Sequence, residues 1–479
     1  MLFNSFGYAV FLPVVFALYW LAKRAGVKLQ NKVLLVASYF FYACWDYRFL
    51  GLLIFSTLLD YITGIKMYRS QTQGGKKFWF WTSIIINLSF LGVFKYYNFF
   101  VESFSDLLAS AGFQVNTWSL QLILPVGISF YTFHGLSYVI DIYNDKIKPE
   151  TNIIDYSLFV SFFPLLVAGP IERATHLLPQ IKRQRDFKAS TAYDGLRQIL
   201  WGLFKKIVIA DNCAVYADLI FNNSSEYSGS TLILGAVLFA FQIYGDFSGY
   251  SDIALGTARL FGIELLRNFA YPYFSRDIAE FWRRWHISLS SWFKDYLYIP
   301  LGGSRVNNWM KIRNTMIIFS VSGFWHGANW TFIVWGLLNA FFIIPSILFK
   351  RNRNHLEIVA QGRVFPTINE FIAILFTFVL TSFAWIFFRA ESLNHAVSYI
   401  LGIWNLSEFW QPQLIPNLLI FLVVAFVFIE WLGREKSYGL EVVDKISILN
   451  LRLACYYGIV FAILSFGNFQ ANQFIYFQF

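Results

Sequence analysis

The sequence predicts an all-α, polytopic membrane protein. Of its 479 residues, 57% are hydrophobic and only 14% are charged, whereas soluble domains average roughly 25% charged residues. Apolar segments of about 17–25 residues recur along the chain, which is the length that an α-helix needs to cross a hydrocarbon core about 30 Å thick. The alternation of apolar and polar residues that a transmembrane barrel requires is absent. Because a backbone in lipid must satisfy its own hydrogen bonds, helices are the expected spanning elements.

The net charge of +10 is interpreted as an orientation signal. Six intervals contain 35 of the 38 lysines and arginines, namely residues 23–32, 66–77, 146–206, 259–313, 350–363 and 434–452. The positive-inside rule predicts that these intervals are cytoplasmic. Three connections contain neither lysine nor arginine and are predicted to lie outside, around residues 102–119, 222–230 and 391–412.

The N-terminal part of the chain is expected to form membrane helices in succession. Residues 1–22 are apolar and are followed, not preceded, by basic residues, which favours a membrane helix over a cleaved signal peptide. Further helices are predicted at residues 33–47, 49–67, 78–100 and 120–143. Pro125 and Gly127 are expected to kink the last of these helices.

Residues 153–169 are apolar but have basic sequence on both sides. If both flanks are cytoplasmic, this segment enters and leaves the membrane on the same side. A re-entrant piece broken at Pro164 and Gly169 would satisfy that requirement, provided that protein or water meets its free carbonyl groups. The next residues, 171–197, are predicted to form a polar cytoplasmic loop.

Two membrane helices are predicted next, at residues 199–221 and 231–257, and the second is unusually polar. It contains Gln242, Asp246, Ser248, Ser251 and Asp252. These side chains either line a water-filled cavity or pair with other groups inside the helix bundle, and the sequence leaves both interpretations open.

Residues 277–296 have the apolar spacing of one amphipathic helix and are rich in tryptophan and arginine. These are residue types of membrane interfaces, so an interfacial helix on the cytoplasmic side is predicted. His286 falls one turn from Trp282 and from Leu289, which places it on or beside the buried stripe of that helix.

His326 lies between two largely apolar segments, and the sequence predicts a membrane hairpin around it that opens towards the cytoplasmic side. A lone buried histidine is usually a packed core residue, but an ionisable group at membrane depth is also a functional candidate. Helices at residues 371–388, 418–432 and 453–466 complete about twelve passes. No linker or change of composition separates a second domain, so residues 1–479 are interpreted as a single membrane domain.

Motif inspection leaves two histidines, His286 and His326, as candidate catalytic residues. Phosphate-binding glycine loops, H-E-x-x-H, C-x-x-C and G-x-S-x-G are absent from the sequence, and three dispersed cysteines indicate neither a disulfide framework nor a metal cluster. A neutral imidazole can take a proton from a hydroxyl that attacks a thioester, and a second can stabilise the oxyanion. Zinc usually needs three protein ligands, so a metal site would require Asp246 or Asp252 in addition to His286 and His326.

Six segments carry a resemblance to one known family. They are residues 281–290 (FWRRWHISLS), 295–303 (DYLYIPLGG), 322–330 (SGFWHGANW), 242–254, 164–173 and the terminal FIYFQF, with a signature core at about 120–350. In these segments the sequence resembles the membrane-bound O-acyltransferase (MBOAT) superfamily, and within it the bacterial alginate O-acetyltransferase branch. Ser304 stands where the branch more often has asparagine.

The resemblance implies a site, a fold and a reaction. His326 would be the catalytic residue and His286 its partner at the second signature position. The fold would be a ring of about 11–12 transmembrane helices with re-entrant or interfacial segments around a central funnel. The expected funnel-lining residues are Trp285, Trp325, Asn329, Asp246, Ser251, Asp252, Arg283 and Arg284.

The same resemblance implies the substrates, partners and location. Acetyl-CoA would be the cytoplasmic acyl donor, with no bound cofactor. A periplasmic or extracellular acyltransferase partner and a polysaccharide acceptor would receive the acetyl group, and no nucleic acid is involved. The protein would be a multi-pass protein of the bacterial inner membrane.

Two other functions are kept as alternatives. The same fold could transfer another acyl group, such as D-alanyl, to a cell-wall polymer or a lipid. A proton-coupled transporter could instead use Asp246, Asp252 and the histidines as a relay. That function would be expected to show internal repeats, and none is seen in the sequence.

Overall fold

A computed structural model describes residues 1–113, 119–120, 122–166, 169–405, 412–469 and 474–475, and every regular element in these ranges is a helix. Parts of five predicted segments lie outside the described residues: 476–479 of the terminal motif, 167–168 of the re-entrant segment, 121 of the helix predicted at 120–143, and 114–118 and 406–411 of two outer connections. The internal contacts group the chain into two units, residues 1–192 with 258–266, and residues 193–257 with 267–479.

The first unit is built from helices joined by short connections. They are α1 (Phe6–Ala22), α2 (Val27–Ala43), α3 (Tyr47–Arg69), α4 (Gln73–Leu91), α5 (Tyr97–Ser110), α6 (Ile128–Tyr143), α7 (Ile153–Ser161), α8 (Phe163–Leu166) and α9 (Ala174–Lys182). A π-helical turn, Gly92–Tyr96, connects α4 to α5 without a break.

The second unit contains the segments that carry the predicted site. Its helices are α10 (Ala189–Leu203), α11 (Asp211–Asn222), α12 (Gly229–Leu260), α13 (Ile278–Arg284), α14 (Ile287–Phe293), α15 (Asn308–His326), α16 (Trp330–Leu348), α17 (Ile368–Arg389), α18 (Leu393–Ile403), α19 (Asn417–Gly433) and α20 (Leu449–Phe466). Two π-helical turns, Phe204–Ala210 and Lys294–Tyr298, follow α10 and α14.

Seven helical stretches among the described residues are long and apolar enough to cross a membrane. They are Phe6–Ala25, Tyr47–Arg69, Gln73–Ser110, Gly229–Leu260, Trp330–Leu348, Ile368–Arg389 and Leu449–Phe466. The prediction of an all-α, polytopic membrane protein is therefore confirmed. The predicted total of about twelve passes also counts shorter or less apolar helices such as α15 and α19.

Two predicted elements of the first half of the chain differ from the structure. The helix expected at 120–143 begins only at Ile128, because Gly127 adopts a left-handed conformation with φ +74° and starts the helix instead of kinking it. The expected loop at 171–197 contains α9 and the first residues of α10. Leu177 and Ile181 on α9 are fully buried, so an apolar face holds this segment in a helix.

The single interfacial helix predicted at 277–296 is also wrong, because it breaks at His286. This residue has φ +41° and ψ 55°, which is left-handed. Two backbone hydrogen bonds hold the break. The amide of Ile287 donates to the carbonyl of Asn268 (2.9 Å), and the amide of Ala270 donates to the carbonyl of Arg284 (2.9 Å). The left-handed conformation costs a non-glycine residue about 1–2 kcal/mol, so tertiary contacts override the helical pattern here.

The predicted hairpin around His326 is present as α15 and α16, which approach very closely. A Cβ atom on Gly336 would lie 2.2 Å from the carbonyl oxygen of Phe319, and one on Gly323 would lie 2.2 Å from that of Phe332. Only residues without a side chain permit this distance, as in small-residue interfaces between membrane helices.

Gly336→Ala is expected to force the two helices apart. Overpacking of this kind costs about 1–3 kcal/mol, so the thermal unfolding midpoint of the purified protein should fall, and catalytic activity should fall with it because His326 ends α15. Gly458→Ala on α20 is the matched control, since nothing lies within 4 Å of its Cβ position. Equal midpoints for the two variants would contradict the close packing.

Candidate active site

His326 is the last residue of α15 and is 4% exposed. Its ring packs edge-on against Trp335 of α16, with centroids 5.2 Å apart, and against Phe388 of α17 at 5.6 Å. The 19 residues of α15 span about 28 Å at 1.5 Å per residue. His326 is therefore at the closed end of the hairpin, at the opposite end of α15 from its basic residues Lys311 and Arg313.

His286 is 3% exposed and caps the N-terminus of α14. Its ring meets Phe247 of α12 edge-on at 4.6 Å and stacks on Phe269 at 6.5 Å. Its Nδ1 lies 3.3 Å from Oδ1 of Asn268. The site therefore surrounds this imidazole with two aromatic walls and one amide.

Three tryptophans connect the surroundings of the two histidines. Trp285, next to His286, lies 5.1 Å from Trp385, and Trp385 stacks on Trp335 at 5.4 Å. Trp335 in turn contacts His326. The structure thus brings together the two residues that the sequence singled out, at opposite ends of one tryptophan wall formed by Trp285, Trp385 and Trp335.

The His286 imidazole lies outside the seven membrane-spanning stretches, and burial lowers its pKa well below the usual range, with a further lowering by nearby His326. His286 is therefore neutral at pH 7. A neutral imidazole is the form that accepts a proton or takes a fixed tautomer.

The stability of the protein is expected to fall as pH drops below about 6.5, the usual histidine pKa. In that range the unfolded chain binds a proton that folded His286 does not, so acid favours unfolding by up to about 1.4 kcal/mol per pH unit. His286→Gln removes this contribution, and its unfolding midpoint should depend less steeply on pH between 7 and 5. Parallel curves for the variant and the wild type would refute the assignment.

The sequence left two interpretations open for the polar side chains of α12, and the structure shows some of them in ion pairs and others at the wall of a small cavity. Asp246 pairs with Lys206 at 2.7 Å, and Lys206 also pairs with Asp211 at 2.7 Å; all three are at most 3% exposed. Asp252 pairs with Lys205 at 2.6 Å. The carboxylates that a zinc site would need as additional ligands are therefore paired with lysines.

A small cavity of about 20 Å³ lies beside this helix. Its lining includes Ser248, Ser251, Asp252, Asn268 and Tyr271. Ser251 and Asp252 thus line a cavity that is far smaller than a funnel, and their place in a funnel stays a prediction. Gln242 is buried on the same helix and does not line this cavity.

The arginines of α13 line a larger cleft of about 520 Å³. Arg283 donates to the backbone carbonyls of Asn352 and His355 at 2.7 Å, and Arg284 pairs with Glu280 at 2.7 Å. Cationic side chains outnumber acidic ones in the lining, which includes Arg267, Arg283, Arg284, Arg434 and Lys436 against Glu435 and Glu441.

The three other predicted lining residues lie in the tryptophan wall and around the turn of the hairpin. Trp285 is 1% exposed and is part of the tryptophan wall. Trp325 is half-buried beside His326. Asn329 caps α16 by accepting from the amide of Thr331 (3.0 Å), and it donates to the carbonyl of Glu391 (2.9 Å). Its contacts hold the turn of the hairpin.

Sequence reasoning missed several residues of the site. Asn268 lies in an irregular segment with no recognisable motif, and the two buried lysines were counted with the cytoplasmic charges. Trp335 and Trp385 are two of several aromatics on apolar helices, where they look like lipid-facing residues. For Lys205 and Lys206 a signal did exist, because they lie within residues 199–221, which were predicted to form a membrane helix.

Comparison with known proteins gives a consistent result. The model of the membrane-bound O-acyltransferase family matches residues 145–388. The chain is 36% identical over 437 residues to the probable alginate O-acetylase AlgI of Azotobacter vinelandii, covering 90% of this chain and 84% of that protein. It is 38% identical over 425 residues to the peptidoglycan O-acetyltransferase of Helicobacter pylori, covering 83% and 78%. Similarity to the teichoic acid D-alanyltransferase of Bacillus subtilis is 28% over 287 residues, covering 57% and 71%.

Proposed function

The chain belongs to the membrane-bound O-acyltransferase family, and on that premise we propose that it passes an acetyl group from a cytoplasmic donor across the bacterial inner membrane for O-acetylation of an exopolysaccharide such as alginate. Acetyl-CoA is the proposed donor. A periplasmic acyltransferase partner that modifies the polymer is the proposed recipient. The protein is an O-acyltransferase by family, whereas the acetyl donor, the side of entry and the acceptor are the proposed parts.

Acetyl is favoured over other acyl groups by the relatives. The probable alginate O-acetylase and the peptidoglycan O-acetyltransferase are both named for acetyl transfer, and each aligns with more than four fifths of this chain. The D-alanyltransferase aligns with 57% of it at lower identity. D-alanyl or another acyl group is therefore the weaker alternative.

The observation that carries the proposal is the pair of buried imidazoles joined by the tryptophan wall. His326 ends a helix of about 28 Å that begins among basic residues,, and the turn beside it is bonded to Glu391, in a connection predicted to lie outside. His286 lies two residues after Arg284, which lines the basic cleft. A donor that enters from the basic side would meet His286 first, and an acceptor from the other side would meet His326.

In the proposed reaction, His326 acts as the general base. Its neutral imidazole takes the proton of the acceptor hydroxyl while the oxygen forms a bond to the thioester carbonyl carbon. Polar donors beside the carbonyl stabilise the oxyanion. The carbon–sulfur bond then breaks, and the imidazolium returns the proton to the leaving thiolate. An ester and a free thiol result, and the buried aromatic walls keep water from hydrolysing the thioester.

The basic cleft suits the phosphate groups of the proposed donor. Its excess of cationic side chains attracts anions, and arginine in particular matches the geometry of phosphate. The cleft shares Arg267 with the small cavity beside Asn268, and Asn268 contacts His286. Arg267 and its neighbour Asn268 thus connect the cleft to the proposed reaction centre.

Peptidoglycan is the second candidate acceptor, because the H. pylori relative is named for it. The transporter alternative loses support from the ion pairs. Asp246 and Asp252 are each held by a lysine at 2.6–2.7 Å, so neither is placed in a relay with the histidines.

The test uses inside-out membrane vesicles, whose cytoplasmic face is exposed. Radiolabelled acetyl-CoA is added outside, and base-labile label is measured on polysaccharide and on peptidoglycan fragments in the lumen. We expect label on polysaccharide only when the protein is present, and none with right-side-out vesicles. Label that remains outside, or that requires a D-alanyl carrier protein, would overturn the donor assignment. Label on peptidoglycan alone would overturn the proposal that an exopolysaccharide is the acceptor.

A further inference from the structure

Asn268 is bonded to the His286 segment through both its side chain and its backbone. The side chain is 1% exposed, and its Oδ1 accepts the hydroxyl of Ser288 at 2.6 Å and lies 3.3 Å from Nδ1 of His286. The backbone carbonyl of Asn268 accepts the amide of Ile287 at 2.9 Å. These three contacts therefore hold Asn268 against residues 286–288, and one of them joins its side-chain amide to the imidazole.

The opposite end of the amide is directed away from the histidine. Asn268 lines the 20 Å³ cavity together with Ser248, Ser251 and Tyr271. Within the described part of the chain, the Nδ2 of Asn268 and the three hydroxyl groups have no hydrogen-bond partner. A cavity needs about 10–15 Å³ to hold a water molecule, and these polar atoms are suitable partners for one. An amide whose N–H groups are satisfied on the cavity side presents its oxygen to His286.

This orientation determines which nitrogen of His286 carries hydrogen. An amide oxygen only accepts hydrogen bonds, so the nitrogen facing it must be Nδ1–H, and Nε2 then holds the lone pair. The rings of Phe247 and Phe269 enclose the imidazole, and an aromatic face is a much weaker acceptor than an amide oxygen, so these rings do not offset the bond from Nδ1–H to Asn268,.

We propose that Asn268 is a positioning residue that holds His286 in the Nδ1–H tautomer, with Nε2 available to the acyl donor or its oxyanion partner. The role of the tautomer in the reaction rests on the proposed acyl transfer. The tautomer itself does not, because it follows from the contacts of Asn268 with His286 and Ser288.

The test compares two substitutions of Asn268 that differ in one chemical property. Asn268→Asp keeps an oxygen acceptor, whereas Asn268→Ala removes it. We expect Asn268→Ala to lower kcat by about 10–100-fold, as for other residues that orient a functional histidine, with little change in KM, and Asn268→Asp to recover most of the kcat. Asn314→Ala is the matched control: Asn314 is fully buried in the same unit and donates to the carbonyl of Leu301 at 3.0 Å, so its loss should lower stability without a selective loss of kcat.

A second readout is independent of activity. The chain has six histidines, so ¹⁵N-histidine labelling of the protein in lipid nanodiscs gives few signals, and the His286 signal is identified by its loss in His286→Gln. We expect protonated Nδ1 and unprotonated Nε2 in the wild type and in Asn268→Asp, and a tautomer mixture in Asn268→Ala.

The outcomes separate this proposal from the proposed function. An Nε2–H tautomer in the wild type, an unchanged tautomer in Asn268→Ala, or equal losses of kcat in the alanine and aspartate variants would overturn the role of Asn268. Absence of acyl transfer in the wild type, with the expected tautomer present, would overturn the function and leave the positioning role of Asn268 supported.

Discussion

Replacing His326 by alanine is expected to lower kcat for acyl transfer by about 10²–10⁴, the usual contribution of a positioned general base. The ring is 4% exposed and lies at the closed end of the α15–α16 hairpin, where it contacts Trp335 and Phe388. Polymer acetylation in cells carrying this variant should fall to background. The measurement is the base-labile acetyl content of secreted polymer, normalised to the amount of membrane-inserted protein.

Two further variants make the result interpretable. His326→Gln keeps most of the side-chain volume but cannot act as a base near neutral pH, so it should be as inactive as the alanine variant. His395→Ala on α18 is the matched histidine control, because His395 contacts the carbonyl of Phe221 at 3.1 Å, away from the tryptophan wall. Wild-type acetylation in either His326 variant would exclude His326 as the base.

Replacing Lys206 by methionine should produce the largest loss of stability. Lys206 is 1% exposed and lies 2.7 Å from both Asp211 and Asp246. Its removal leaves two carboxylates buried without their cation, and breaking a buried pair in this way costs about 3–5 kcal/mol. The variant should fail to accumulate, or should unfold at a much lower temperature in detergent.

A half-exposed ion pair provides the control for this variant. Lys182 contacts Glu150 at 2.8 Å, but its side chain is 53% exposed, and pairs of that kind are worth about 0–1 kcal/mol. Lys182→Met should therefore leave the unfolding temperature nearly unchanged. If Lys206→Met were tolerated equally well, the buried ion cluster would not contribute to stability.

The apolar pattern was sufficient to predict most of the long helices, and it singled out His286 and His326 as candidates. Spans such as α3, α12 and α17 follow from runs of apolar residues, since length and hydropathy alone decide whether a helix can cross a bilayer. The hairpin was predicted because its apolar segments flank His326. The pairing of His286 with His326 depended on recognising two sequence motifs, because residues 40 positions apart carry no local signal of contact.

The parts that could not be predicted depend on tertiary contacts. Residues 277–296 have the spacing of one helix, and the break at His286 arises from hydrogen bonds to the segment 268–270. Asp246 and Asp252 could have lined water or paired with lysines, and only the fold brings Lys205 and Lys206 to α12. Asn268 was missed for the same reason, because an amide acquires a role only from the group that it contacts.

The π-helical turn Phe204–Ala210 has a consequence for how this segment tolerates changes in length. A π-helical turn contains one more residue than an α-helical turn, and here it lies between α10 and α11 in the middle of an unbroken helix. Loss of a single residue from the turn would restore α-helical winding. Because the π-helical turn absorbs the extra residue, this deletion would leave α11 in nearly the same rotational phase relative to α10. A deletion inside the regular part of α10 or α11 would instead rotate the residues beyond it by about 100°, at 3.6 residues per turn. Loss of one residue should therefore be tolerated better within this turn than elsewhere in the same helix.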